Sequence, residues 1–357
     1  MALLALACTH GEAFTPDVPS VNQPLVPGQP TRLTLNPLID LDASWLPDGS
    51  GILYSYQVPG RSDRDRCLGI LPPDGGTRRL EICDPQPETS DTIDVFGPSA
   101  ASSDGQVAYV AFRARASVHT PQFSSSLLLA PLSDALAAEV LTTTPYTLPT
   151  GQFHGAISHL AWLDDSRLVY VGQDIFYIRM PVGTIGTAPD TLPTGRDIVV
   201  VELGGSSPQF SAEPNTSLAS SVVPGENSNI IYYTVSGDAQ VYRRVLGSGT
   251  STVVHDFGAG TIVRDVSVEG TTLVAIVGGR VEFINDPVLG PVQPDEGGVL
   301  TMVDLATGTQ TVLDPSPVVV YRRPALSPDG SKLVVERYQV LPGSVDRRAD
   351  LYLFTLP

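Results

Sequence analysis

The stretch Leu41-Asp42-Ala43-Ser44-Trp45-Leu46-Pro47-Asp48-Gly49-Ser50-Gly51-Ile52-Leu53-Tyr54 decides the fold. A small or polar segment runs into a Pro-Asp-Gly turn and then into an apolar segment that ends in an aromatic residue. Pro presets the dihedral of a turn's first corner, Asp bonds to nearby backbone amides, and Gly accepts a positive φ that other residues resist. The stretch therefore predicts two strands joined by a tight reversal, with Asp48 serving the turn and not catalysis.

The unit returns near the end of the chain as Arg323-Pro324-Ala325-Leu326-Ser327-Pro328-Asp329-Gly330-Ser331-Lys332-Leu333-Val334-Val335. Weaker copies lie between. Gly97 to Gly105 leads into Val107-Ala108-Tyr109-Val110, and Ser158 to Ser166 leads into Leu168-Val169-Tyr170-Val171. A fourth copy runs from Leu218 to Tyr233 and a fifth from Val263 to Val277, so the unit recurs about every 56 residues. Asp104, Asp165 and Asp329 read as turn residues beside Asp48. A second hairpin follows each unit, for example Val299-Leu300-Thr301-Met302-Val303 before Gln310-Thr311-Val312-Leu313.

Four strands per unit, in six units, predict an all-β, six-bladed β-propeller of four-stranded antiparallel blades. The last unit supplies only three strands, ending in Leu351-Tyr352-Leu353-Phe354-Thr355. Thr31 to Asn36 is available as the fourth, so an N-terminal strand beside the C-terminal strands is expected to close the ring and cover its open edges.

These repeats resemble the TolB-type six-bladed propeller family of WD-like repeats, whose units carry a Trp/Ala-x-Ser-Pro-Asp-Gly-x-x-Ile-x-Tyr core. The likeness covers residues 31–357. What the resemblance implies for function is broad: the family includes periplasmic scaffolds, and similar propellers serve as accessory domains of peptidases and as lyases. One fold carries many chemistries, so the site has to be argued separately.

Composition agrees with the strand reading. The 357 residues include 33 Gly and 32 Pro, no stretch shows sustained helical periodicity, and hydrophobic residues make up 42%, enough for a substantial core. Lys and Arg total 21 against 38 Asp and Glu, a net charge of −17. A polyanion meets repulsion from such a surface, so nucleic acid is not an expected partner.

Two of the three cysteines flank a hairpin pattern: Cys67 and Cys83 stand on either side of the Pro72-Pro73-Asp74-Gly75-Gly76 turn. A reversal centred on Gly75 places them opposite each other, at a separation a disulfide accepts, which would imply an oxidising compartment; two half-buried thiols are the alternative. The third, Cys8, ends Met1-Ala2-Leu3-Leu4-Ala5-Leu6-Ala7-Cys8. That segment resembles the end of a bacterial lipoprotein signal, in which the cysteine is lipidated. Ala5 stands where such signals usually have Leu, and no Lys or Arg precedes the apolar run. An uncleaved apolar leader is the other reading.

The expected organisation is thus a leader over 1–8, a Pro-rich extended tether over 9–30 and the propeller over 31–357. No other segment approaches the roughly 20 apolar residues of a membrane-spanning helix.

Chemistry is sparse. No Gly-x-Ser-x-Gly elbow of a serine hydrolase is present: Gly204-Gly205-Ser206-Ser207 and Gly247-Ser248-Gly249-Thr250-Ser251 lack that spacing. The five histidines, His10, His119, His154, His159 and His255, form no His-x-His or His-Glu-x-x-His pair. No catalytic residue, cofactor or resident metal is expected, with a channel ion such as calcium as the alternative.

In a propeller the first strand of each unit lines the central channel. Asp42, Ser99, His159, Ser217, Asp265 and Arg323, with Arg264 and Arg322 as near alternatives, are expected to approach one another there. They read as polar lining or as a site for a partner's terminus or a small anion, because guanidinium groups suit carboxylates. The long loops Pro59 to Arg66, Arg113 to Ser124, Ile178 to Gly195, Asp286 to Gly297 and Leu341 to Arg348 are the other candidates for specificity.

Taken together, the expectation is a non-catalytic binding or scaffold protein. It would be membrane-anchored through Cys8 on the periplasmic side or cell surface and would join other proteins in a membrane-associated complex. The alternatives are a propeller lyase or hydrolase working at the channel mouth, and a sensor of small ligands or ions.

Overall fold

The computed structural model describes residues 29–34, 39–57, 66–76, 78, 81–83, 92–115, 122–133, 139–142, 154–175, 193–279, 284–286, 290–292, 297–316, 319–341, 344–345 and 349–356. Every regular element among them is a strand. In chain order they begin with β1 (Thr31–Arg32), β2 (Asp40–Trp45), β3 (Ile52–Gln57), β4 (Arg66–Leu71), β5 (Glu81–Ile82), β6 (Thr92–Ala101), β7 (Gln106–Arg115), β8 (Gln122–Pro131) and β9 (Glu139–Thr142). There follow β10 (His154–Asp164), β11 (Arg167–Ile175), β12 (Pro193–Glu202), β13 (Gln209–Ala212), β14 (Ala219–Pro224), β15 (Ile230–Val235), β16 (Gln240–Val245), β17 (Ser251–Asp256) and β18 (Thr261–Glu269). The last are β19 (Thr272–Gly279), β20 (Ile284–Asp286), β21 (Gly290–Val292), β22 (Val299–Asp304), β23 (Thr309–Val312), β24 (Val319–Leu326), β25 (Lys332–Leu341), β26 (Ser344–Val345) and β27 (Asp350–Thr355).

The turns form as their residues dictate. Gly49 and Gly330 both adopt φ 70 and donate their N–H to Leu46 O and Ser327 O, at 2.9 and 2.8 Å. Asp48 Oδ1 accepts the Ser50 N–H at 2.9 Å and Asp329 Oδ1 the Ser331 N–H at 3.1 Å. In the third copy the roles shift by one residue. Asp164 takes the turn amide of Ser166, while Asp165 accepts from Ser103 Oγ at 2.6 Å, joining this turn to the one between β6 and β7.

The fold is an all-β propeller of antiparallel four-strand blade units, and one expectation is corrected. Among the described residues there are five blades, not six. Four are the sheets β10-β11-β12-β13, β14-β15-β16-β17, β18-β19-β22-β23 and β1-β27-β25-β24, the last with β26 attached. The first two repeat units instead make a single eight-stranded sheet, because β4 and β6 pair in parallel where Arg66 meets Val95. The repeat spacing counts turns; hydrogen bonding across the second-to-third hairpin connection decides how many separate sheets result. β20 and β21 form a small hairpin apart from the blades.

The strands β2, β6, β10, β14, β18 and β24 touch in that order, and β24 touches β2. They are the innermost layer of a closed ring. At the seam, β1 lies antiparallel to β27, with Thr31 opposite Leu353, and the Leu33 N–H donates to Leu351 O at 2.8 Å. Strand β1 is shorter than the Thr31–Asn36 segment proposed for it.

Period-2 alternation explains why the second strand of each unit is apolar on both faces. Ile52 and Tyr54 of β3 pack toward Val334 and Leu353, whereas Leu53 packs with Val107 and Tyr109 on the opposite side. Val274 and Ile276 likewise meet Leu333 and Val335, and Leu273 and Ala275 meet Val241. The core is therefore a circle of face-to-face contacts between neighbouring units. Two tryptophans at the same repeat position reinforce it: Trp45 Nε1 donates to Ala325 O at 2.9 Å and Trp162 Nε1 to Ala100 O at 3.0 Å.

Cys67 and Cys83 form a disulfide, with Cα atoms 4.7 Å apart. Cys8, His10 and the tether up to Gly28 lie outside the described residues, as do His119 and most of the long loops. Among the described residues, no helix is long and apolar enough to cross a membrane.

Candidate functional site

The inner strands share an irregularity that their sequences do not announce. In β2, β6, β10 and β24 the pairing with the next strand skips two residues, between Leu41 and Ser44, Phe96 and Ser99, Ser158 and Ala161, and Arg322 and Ala325. The first skipped residue of each bulge is left-handed: Asp42 (φ 54), Gly97 (φ 128), His159 (φ 53) and Arg323 (φ 50). Only Gly adopts such angles without steric cost, so Asp, His and Arg there are held by their surroundings. At Gly97 a side chain is excluded, since an added Cβ would lie 3.0 Å from Ser55 Cβ and 3.1 Å from Asp42 Oδ2. Strand β18 skips a single residue, Arg264, before Asp265.

These bulges bring four of the nominated residues together. His159 Nε2 lies 3.0 Å from Asp265 Oδ1, and His159 Nδ1 lies 3.1 Å from Ser158 Oγ. The Asp265 carboxylate also accepts the Val266 N–H at Oδ1 and the Arg323 N–H at Oδ2, both at 3.1 Å. Arg323 Nε is 3.6 Å from Asp42 Oδ1 and 4.0 Å from Asp265 Oδ2. Thus β2, β10, β18 and β24, widely separated in the chain, converge on one polar cluster.

Two neighbours missed in the sequence complete it. Glu336 Oε1, on β25, accepts the Asp42 N–H at 2.7 Å, and its Oε2 accepts the Tyr338 hydroxyl at 2.7 Å. The bulge amides of Asp42 and Arg323 are therefore both satisfied by a carboxylate from a neighbouring strand. The available signal was an acid within the apolar run Leu333-Val334-Val335-Glu336, where a buried charge needs partners.

The remaining nominees take other positions. Arg322 places its guanidinium over the Tyr338 ring, 4.6 Å from the centroid. Arg264 runs across Gly278, where an added Cβ would sit 2.8 Å from Arg264 Nε. Ser99 is buried and its carbonyl accepts from Ser44 Oγ at 2.9 Å, while Ser217 is exposed in the turn before β14.

The electrostatics follow from burial and pairing. Burial and the Arg323 charge lower the His159 pKa against the pull of Asp265, so the imidazole is neutral near pH 7. Burial works to raise the Asp265 pKa, but His159 and Arg323 outweigh it and the net shift is downward. For Arg323, burial is outweighed by Asp42 and Asp265, and the pKa rises. Burial and the Asp42 carboxylate push Glu336 up to about 7, and burial beside Glu336 raises Tyr338. Among the described residues, no group of three or more His, Cys, Asp or Glu side chains is arranged to hold a metal ion.

No family model matches the chain, and no curated protein matches it. Solved structures do. A calcium-binding protein, regucalcin, from Agrobacterium tumefaciens is 13% identical, with 91% of this chain and 92% of that one covered at a TM-score of 0.53. TolB from Acinetobacter baumannii is 16% identical at a TM-score of 0.42; 88% of this chain is covered, but it spans only 63% of the TolB chain. The β-propeller domain of the trilobed protease from Pyrococcus furiosus is 14% identical at 0.43, with coverages of 90% and 82%. Of these, the regucalcin likeness, at a TM-score of 0.53 and 13% identity, bears on the fold and goes no further.

Proposed function

We propose that the protein is a non-catalytic binding protein, serving as an accessory or structural subunit of a membrane-associated complex on the periplasmic side or cell surface, with Cys8 as its lipid anchor. One observation carries the first part. The acid–base groups of the channel are already engaged in holding the ring: both nitrogens of His159 face partners, and both oxygens of Asp265 accept hydrogen bonds. A general base needs a lone pair facing a substrate's proton, and every ring nitrogen of His159 and carboxylate oxygen of Asp265 already faces a partner. The apolar run ending at Cys8 motivates the anchor, and the net charge of −17 suits a protein partner better than a polyanion.

The second reading, an enzyme at the channel mouth, is favoured by Glu336, a carboxyl that titrates near neutrality beside Tyr338. Gentle detergent solubilisation of membranes, followed by affinity capture of the tagged protein, tests the proposal. It predicts a stoichiometric co-purifying chain and loss of membrane association in Cys8→Ser. Recovery of the protein alone from the soluble fraction overturns both parts.

A further inference from the structure

The channel cluster contains one cation whose hydrogen-bonding edge is unused. Arg323 meets Asp42 and Asp265 only along its Nε, at 3.6 and 4.0 Å, beyond the reach of a hydrogen bond. Among the described residues, no hydrogen bond engages its Nη1 or Nη2, and the side chain remains 27% accessible. Of the two carboxylates, Asp265, the farther one, is occupied by His159 and two backbone amides. Beside it, the Arg322 guanidinium lies on the Tyr338 ring, with its Nε buried and unpartnered. Arg322 and Arg323 are thus consecutive cations in a chain where Lys and Arg number 21 against 38 acids.

Arg323 is also held at φ 50, an angle without local reward for an arginine. Its amide is pinned by Asp265, and the two carboxylates flank the Nε side. A guanidinium edge of that kind matches the two oxygens of a carboxylate. Asp42 and Asp265 beside it disfavour a multiply charged anion such as phosphate, so the site selects for a single negative charge.

We infer that the free Nη edge of Arg323 recognises a carboxylate, presented either by a small organic acid or by the C-terminus of a peptide. This rests on the reading of the chain as a binding protein and names the chemistry of what it binds.

The intact protein is dialysed to equilibrium against labelled acetate, lactate and propionate, and incubated with a pool of randomised hexapeptides made with free or amidated C-termini. Inorganic phosphate serves as the comparison. Saturable binding of an organic acid points to the small-molecule source; retention of free but not amidated peptides points to a chain terminus. In either case Arg323→Gln weakens binding tenfold or more, and Arg323→Lys, which keeps the charge but not the fork, weakens it less. Thermal melts of both variants establish that they fold.

The inference is overturned if no carboxylate probe binds, if phosphate or amidated peptides bind as well, or if folded Arg323→Gln binds undiminished. Undiminished carboxylate binding by folded Arg323→Gln, with a membrane partner still co-purifying, overturns it while leaving the binding-subunit reading intact. Carboxylate binding by a protein that co-purifies with nothing does the reverse.

Discussion

His159 Nε2 lies 3.0 Å from Asp265 Oδ1, although 106 residues of chain separate them. The bond spans two inner strands, β10 and β18, with β14 between them in the ring. Asp265 gathers His159, its own neighbour's amide and the bulge amide of Arg323, so it ties three parts of the channel wall together.

Replacing Asp265 by Asn removes the charge and turns a donor toward one of these donors. The expected loss is about 1.5 to 3 kcal/mol, the range for hydrogen bonds to charged groups, measured by urea unfolding followed with far-UV circular dichroism. Because the Asp265 pKa is lowered on folding, its contribution is complete above the unfolded value of 3.8 and is lost as pH falls through the folded one. The variant should therefore lose part of the acid limb of the stability profile. An unchanged unfolding midpoint would show that the cluster is idle.

Glu336 and His159 oppose each other around neutral pH. Glu336 has a folded pKa of about 7 against 4.5 unfolded, so the unfolded chain releases its proton first and stability falls as pH rises between those values. For His159 the folded pKa lies below 6.5, so the unfolded chain binds its proton first and stability falls as pH drops below 6.5. Asp42, Arg323 and Tyr338 face Glu336, and Arg323, Asp265 and Asp42 act on His159. Glu336→Gln should stabilise the protein at pH 8 by on the order of 2 kcal/mol and steepen the remaining acid-side loss. His159→Gln should flatten that loss. Melting temperatures at half-unit steps from pH 5 to 8 separate the two.

Arg244 is 1% exposed and pairs with Glu213 at 2.9 Å, while its Nη2 reaches Pro214 O at 2.5 Å. Glu213 also accepts the Gly247 N–H, so this pair fastens the β13–β14 crossing to the turn after β16. Arg244→Met strands a buried carboxylate and should cost about 3 to 5 kcal/mol. The double variant Arg244→Met with Glu213→Leu should recover a large part of that loss. Equal destabilisation of the single and double variants in urea would refute the ion-pair account.

Trp45 and Trp162 should behave as equivalent, independent ties. Each donates its indole N–H to the carbonyl of an adjoining inner strand, so Trp→Phe keeps most of the packing and removes one bond. A loss of about 1 kcal/mol is expected at each site, and additivity in the double variant within about 0.5 kcal/mol. Strong coupling would mean that the two seams of the ring do not open independently.

The Pro72–Gly76 turn points to the cysteine pair, and the repeat phase points to the channel for Asp42, Ser99, His159, Ser217, Asp265 and Arg323, of which Asp42, His159, Asp265 and Arg323 meet there. Neither points to Glu336, since its role exists only where β25 meets the Asp42 bulge of β2, 294 residues away. In the sequence Asp165 reads as the residue of its own turn, yet a one-residue shift gives that task to Asp164 and points Asp165 at Ser103.

Local chemistry suffices for the turns at Gly49 and Gly330, for strands apolar on both faces, and for a ring joined by its two ends. Each depends on neighbouring residues or on a period of two, which the chain carries wherever it goes. Assembly alone decides that Arg66 and Val95 merge two repeat units into one blade, and that the inner strands bulge at Asp42, Gly97, His159 and Arg323. A bulge changes which side a residue faces without any change in residue type. Its position is set by partners from other strands, whose carboxylates hold the bulge amides of Asp42 and Arg323 in place.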